Sequence, residues 1–171
     1  MQRLRRLEHR RQGMWGLPMT NRNHSLPKGT SDEHYTPRSL FEQLNIKFDL
    51  DVAAPHEQPN SMADKWFCKC CSDGLTQNWF GNVWMNRPYS SPTEWVDKFI
   101  AHGQGIALLP ITRGQRWDRI WKYADGIVPL AYNYKFDRPD GLSAKPIVFR
   151  TALYAIGIDN YKAIAKIGKV R

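Results

Sequence analysis

The sequence predicts an α/β fold: a mostly parallel sheet with helices on both faces and an antiparallel hairpin at one edge. Three observations predict it. Between Thr36 and Tyr123, short apolar strand-like runs alternate with segments of helical period, the order in which parallel sheets are built. Beyond them, Ile127 to Phe136 and Pro146 to Ile156 are β-rich and bracket an Asp140-Gly141 turn signal. The 171 residues, 42% of them hydrophobic, suit one domain with one buried core.

Residues 1–30 are expected to stand apart from that core. Arg3, Arg5, Arg6, Arg10 and Arg11 dominate their start, and Gly13, Gly16, Pro18, Pro27 and Gly29 punctuate the rest. The stretch reads either as a basic arm that orders on a polyanion or as a solvated flexible tail. The folded domain is expected over 31–171. Thr36-Pro37 supplies a hydroxyl cap and a first-turn proline ahead of Leu40, Phe41 and Leu44, predicting a helix. Phe48-Asp-Leu-Asp-Val-Ala-Ala54 alternates like a strand that delivers acidic side chains near its carboxyl end, and Val83-Trp84-Met85 is a second strand. A helix over Thr93 to His102, a buried strand over Gly105 to Pro110 and a helix over Gln115 to Tyr123 follow. The β-rich stretches then form the edge hairpin, and Asp159 to Lys169 closes the chain as an amphipathic helix. Trp84 and Met85 read as core residues, and Trp95, Trp117 and Trp121 as buried helix faces.

Composition narrows the function classes. Twenty-five Lys and Arg against sixteen Asp and Glu give a formal charge of +9, which points to a polyanionic partner, nucleic acid first. No apolar run approaches the roughly 18 residues of a membrane span, and the start, MQRLRRLEHRRQG, has no apolar core of a secretory signal, so no membrane partner is expected. Cys68, Cys70 and Cys71 are odd in number and too close together for a disulfide framework. They lack the second cysteine pair that a zinc site usually takes, and His56 and His102 are poor completions, so no metal is expected.

The most informative stretch is Trp84-Met-Asn-Arg-Pro-Tyr-Ser90, just beyond a strand, where open α/β sheets place ligand-handling loops. Methyl transfer to the exocyclic amine of a base requires acceptors for its two hydrogens, so that the nitrogen lone pair points at the donor. Asn86 offers a side-chain amide oxygen and Arg87 a backbone carbonyl, in the extended conformation that Pro88 imposes on its predecessor. Tyr89 offers a flat face for stacking an extruded base. An isolated Asn after a strand is otherwise a turn residue.

Asn86-Arg87-Pro88-Tyr89-Ser90 resembles the Asn-Pro-Pro-Tyr motif of amino-methylating DNA methyltransferases. The ordered set Asp32-Glu-His-Tyr-Thr-Pro37, Phe48-Asp-Leu-Asp-Val-Ala-Ala54, Asp73-Gly-Leu75 and Trp84-Met-Asn86 is similar to the phage-type DNA N6-adenine methyltransferase (Dam) family, over roughly residues 32 to 155. The resemblance implies a Rossmann-like methyltransferase fold, S-adenosylmethionine as cofactor, and site-specific methylation of adenine N6 in double-stranded DNA. It also implies a phage-encoded protein of the host cytoplasm; a place in restriction-modification or in regulation stays open.

By the same resemblance, Asn86, Arg87, Pro88 and Tyr89 are the catalytic residues, and Tyr35, Thr36 and Pro37 line the methionine end of the cofactor. Asp49 and Asp51 form the acidic strand end, where a carboxylate binds the cofactor's α-ammonium. Small Ala53 and Ala54 stand where the family has a Gly-x-Gly loop, and Asp73 accepts from ribose hydroxyls or the cofactor's adenine amine. Arg87 departs from the family's proline: its carbonyl keeps the role, rigidity is lost, and the guanidinium is expected to point outward to a DNA phosphate. Arg113 and Arg116, on the sheet edge that carries Asn86, and Lys135 and Arg138, on the hairpin, are further candidates for DNA contact. A charged edge that only prevents strand pairing is the plain alternative for the hairpin residues. His34 and His56 have no part, because the amine needs no general base before transfer. A noncatalytic DNA-binding protein on the same scaffold, or a methyltransferase acting on RNA, would carry the same residues.

Overall fold

Runs that are apolar on both sides make the centre of the sheet. β1 (Phe48–Asp51), β3 (Val83–Met85) and β4 (Gly105–Pro110) are almost continuously buried, as strands covered by helices on both faces must be. The structure is a computed structural model that describes residues 35–55, 62–68, 72–87, 92–131, 135–137 and 150–171. In these residues α1 (Arg38–Leu44) precedes β1, and β2 (Ala63–Trp66) lies between β1 and β3 in the chain. α2 (Pro92–His102) joins β3 to β4, and α3 (Gln115–Tyr123), β5 (Gly126–Pro129), β6 (Thr151–Ile156) and α4 (Ile158–Ala165) follow. The strand order is β2-β1-β3-β4-β6-β5. β2, β1, β3 and β4 run parallel, whereas β6 is antiparallel to both β4 and β5.

The pleat sends alternate side chains to two separate layers. Trp84, Ile106, Leu108 and Leu153 pack with Leu40, Phe41 and Leu44 of α1 and Ala163 and Ile164 of α4. Val83, Met85, Ala107, Leu109 and Tyr154 pack with Trp95, Val96 and Phe99 of α2 and Ile120 of α3. Helices therefore cover both faces, as the alternation of elements predicts. In the first layer, Phe41 and Trp84 meet edge to face with centroids 4.8 Å apart, and Phe48 meets Trp84 at 5.4 Å. This trio fixes α1 over β3 one step before the strand ends.

Several sequence expectations shift. Thr36 does not cap α1: Pro37 is the cap residue in extended backbone, no side chain bonds to the first turn, and the Thr36 hydroxyl is engaged elsewhere. β1 stops at Asp51, because Val52 and Ala53 turn the chain over. β2 is an addition to the elements that the sequence predicts. Its Ala63, Asp64, Lys65 and Trp66 are half-buried or exposed on the sheet edge, and Lys47 holds Asp64 across the pair at 2.7 Å. The expected edge hairpin exists as the β5–β6 pair, from Gly126↔Ala155 to Pro129↔Ala152. Its first strand ends at Pro129, short of Phe136, and the Asp140-Gly141 turn lies outside the described residues. α4 ends at Ala165, four residues before Lys169.

Candidate active site

The chain leaves β1 for β2 on one side and returns to β3 on the other, so the strand order reverses between β1 and β3. The carboxyl ends at such a reversal form the crevice where open α/β sheets bind ligands. Asp51 ends β1 there, pairs in register with Trp84 and is 5% exposed. Its Oδ1 accepts the Ala53 N–H at 3.1 Å, closing the turn that carries Ala53 and Ala54 across the strand end. Asn86 follows β3 by one residue and is half-buried. By strand period it shares a face with Trp84, and so with Asp51, on the α1 side of the sheet.

The segment before α1 completes this group. The Asn86 Nδ2 donates to the Thr36 Oγ1 at 3.1 Å, and Thr36 is itself 5% exposed. Half-buried Tyr35 is held in place by two backbone hydrogen bonds with Asp137, each 2.9 Å, which tie Lys135 and its neighbours to the start of α1. Thr36, Asp51 and Asn86 thus converge at adjacent strand ends, with Tyr35, Pro37 and Ala53 around them.

Asp73 approaches from the other side of the β1 end. Its Oδ1 accepts the Leu75 N–H at 3.0 Å and its carbonyl accepts the Thr76 amide and hydroxyl, making a tight turn. Gly74 in that turn lies against Val52, so close that a Cβ would sit 2.0 Å from the Val52 carbonyl oxygen. The Asp73 carboxylate is exposed. Sequence reasoning missed the residue that holds this turn: Lys98 of α2 donates to the carbonyls of Gly74, Leu75 and Gln77 at 3.0, 2.7 and 2.5 Å. Removal from water pushes the Lys98 pKa down, and the nearby Asp73 charge opposes that shift. The Trp79 indole N–H also donates to Gly74 O, at 2.7 Å. Nothing in the sequence marks a lysine on α2 as the partner of a loop more than 20 residues earlier.

Two expected site residues are placed differently. Asp49 does not join the group. Its Oδ2 accepts the Asn82 N–H at 2.7 Å, closing the Gly81-Asn82 bend at the amino end of β3, the wrong end of the sheet for the crevice. The Asp49 and Leu50 amides both face Asn82 O, at 2.8 and 3.4 Å, and this bulge-like step takes Asp49 out of the alternation that the sequence suggests. Arg87 does not point outward: it is 5% exposed. Strand period continues past Met85 because Pro88 keeps its predecessor extended, so the side chain enters the α2–α3 layer. There it lines a cavity with Leu109, Thr112, Trp117 and Tyr154. This is the layer opposite Thr36 and Asp51, which separates the guanidinium from them by the thickness of the sheet.

Arg113 is exposed beyond the carboxyl end of β4, beside Asn86's edge, and Lys135 is exposed near Tyr35. Arg116 lies in α3 with its side chain outside the described residues, as are Pro88, Tyr89, Arg138, Cys70 and Cys71 altogether. Cys68 is buried, and His102 Nε2 contacts Gly81 O at 2.9 Å. Of the three tryptophans expected on buried faces, Trp95 is 7% exposed. Trp117 and Trp121 are half-buried, with ring centroids 5.2 Å apart on α3, and Arg171 lies over Trp121.

The family described as DNA N-6-adenine-methyltransferase (Dam) matches residues 23–127, more than half of the sequence. The chain belongs to that family. The match runs from before Tyr35 through α1, Asp51, Asp73, Asn86 and α3 into β5. A DNA N-6-adenine-methyltransferase of Escherichia phage T1 is 33% identical over 101 residues, which cover 53% of this chain and 41% of that relative. The chain thus spans less than half the length of the curated relative. No solved structure matches it. Among the described residues, no helix is long and apolar enough to cross a membrane.

Proposed function

We propose that the chain is a DNA methyltransferase that moves a methyl group from S-adenosylmethionine to N6 of adenine, on a Rossmann-like methyltransferase fold. The observation that carries this reading is the convergence of Thr36, Asp51 and Asn86 at the carboxyl ends of β1 and β3, where the strand order reverses. Family membership supports the same reading.

The residues present fit the cofactor. A buried carboxylate at Asp51 suits an α-ammonium, and the Ala53-Ala54 turn, with Gly74 pressed onto Val52, keeps bulk away from the crevice beside it. Asp73, held by its own turn on the other side of the β1 end, suits hydroxyl groups of a ribose. When bound, S-adenosylmethionine supplies an electrophilic methyl on a sulfonium.

The chain's own task is to present the amine. The Asn86 Oδ1 and the Arg87 carbonyl accept the two amino hydrogens of an extruded adenine, which draws its lone pair out of conjugation and aims it along the transfer direction. Tyr89 stacks on the base. The proton left on the methylated nitrogen passes to solvent after transfer, so no side chain has to act as a base first. Exposed Arg113 and Lys135, with Arg116 and Arg138, hold phosphates of the duplex and set the site-specific register.

The experiment is methyl-labelled S-adenosylmethionine with unmethylated duplex DNA and, separately, RNA of matched sequence. Label recovered as N6-methyladenine from the DNA is the expected result. Label in RNA alone, or in neither polymer while DNA is still bound, would replace this reading with one of the two alternatives.

A further inference from the structure

Asn86 and Arg87 are consecutive, so an extended backbone sends their side chains to opposite faces of the sheet. Each is fixed in a different helical layer. On the α1 side, Asn86 Nδ2 is bonded to the buried Thr36 hydroxyl at 3.1 Å. On the α2–α3 side, Arg87 is 5% exposed and lines, with Leu109, Trp117 and Tyr154, a cavity of about 20 Å³ of free space, room for roughly one water. Within that lining, the Trp117 ring stands edge-on to Tyr154 with centroids 5.7 Å apart.

We propose that Thr36 and the Arg87 side chain are positioning residues, which clamp the dipeptide 86–87 from both faces and so hold its two acceptors, Asn86 Oδ1 and Arg87 O, in fixed relation. The inference rests on the function proposed above. A proline at position 87 would hold the carbonyl by its ring; here a long side chain anchored in the far layer holds it instead. Thr36 acts on the amide rather than on the cofactor.

The test is steady-state kinetics with thermal unfolding on four variants. Thr36→Val keeps the shape of the side chain and removes the hydroxyl, and Thr36→Ser restores it. Arg87→Ala enlarges the cavity that the side chain lines, and Arg87→Met restores most of that bulk without charge. Misplacement of a reacting group by about 1 Å costs on the order of 100-fold. The expected result is a loss of about 10- to 100-fold in kcat for Thr36→Val and Arg87→Ala, KM for the cofactor within about 3-fold of wild type, and recovery of most of the loss in Thr36→Ser and Arg87→Met. Wild-type kcat in either Thr36→Val or Arg87→Ala overturns the clamp, as does a loss that tracks unfolding and is not recovered by the conservative variant. Side-chain amide NMR separates this from failure of the enzymatic reading. Whatever the activity, the Asn86 Nδ2 hydrogens are rigid in wild type and mobile in Thr36→Val; unchanged mobility contradicts the clamp even in an inactive protein.

Discussion

Tyr154 sets a phenol inside the core. It is 0% exposed on β6, and its hydroxyl has no hydrogen-bond partner among the described residues, so burial alone pushes its pKa above the ordinary value of 10.0. A buried phenol costs desolvation that a missing hydrogen bond does not offset. Tyr154→Phe should therefore leave stability unchanged or raise it by up to about 1 kcal/mol in urea unfolding at pH 7. The sign of the pH effect follows from the direction of the shift. The unfolded chain releases the phenolic proton near pH 10 while the folded chain retains it, so stability that is whole below pH 10 is lost as pH rises beyond it. Tyr154→Phe should flatten that part of the pH profile relative to wild type. Equal alkaline slopes for the two proteins would show that the hydroxyl is solvated.

At the scale of elements, the turn from Asp73 to Gln77 depends on close approach. Gly74 sits where a Cβ would meet Val52 O at 2.0 Å and the Trp95 ring at 3.0 Å. Gly74→Ala should cost about 1–3 kcal/mol, as overpacking does, and should weaken S-adenosylmethionine binding in calorimetry by displacing Asp73. Unchanged cofactor affinity would remove Asp73 from the site. The turn's glycine is legible in the sequence only as part of a motif; its reason, the Val52 carbonyl, is tertiary. Elements whose apolar period is strong, β3, β4, α2 and α3, are legible almost to their ends, because both faces or one full stripe had to be buried. β2 is not, since Asp64 and Lys65 on an exposed edge carry no such period.

The same division runs through the candidate site. The positions of Asp51 and Asn86 are legible because the one ends a buried strand and the other follows a buried strand by one residue. Asp49 looks equivalent in the sequence, but the bulge-like step beside Asn82 turns it into a bend-closing acceptor. Arg87 looks too polar to enter a core. Backbone direction, fixed by Pro88 and by Trp84 and Met85 before it, overrides that preference.

For the whole molecule, a formal charge of +9 favours a polyanionic partner, and the proposed function makes that partner a duplex. Binding to DNA should weaken steeply as salt rises, because each neutralised phosphate releases a counterion. Arg113→Ala combined with Lys135→Ala should weaken binding across sequences and lower the salt slope by about 2, roughly one unit for each phosphate that is no longer neutralised. A slope unchanged by both substitutions would move the DNA face elsewhere. On the proposed function, the two layers of helices that pack on either face of β3 would hold its carboxyl end still while Asn86 and the Arg87 carbonyl receive one amine.

The most direct measurement is single-turnover methylation of duplex DNA by wild type and Asn86→Ala, with N6-methyladenine counted by mass spectrometry and cofactor affinity measured in parallel. Presentation of the amine by Asn86 predicts N6-methyladenine from wild type, a loss of about 100-fold or more in Asn86→Ala, and cofactor affinity nearly unchanged between them. Methylation at the wild-type rate in Asn86→Ala would contradict it.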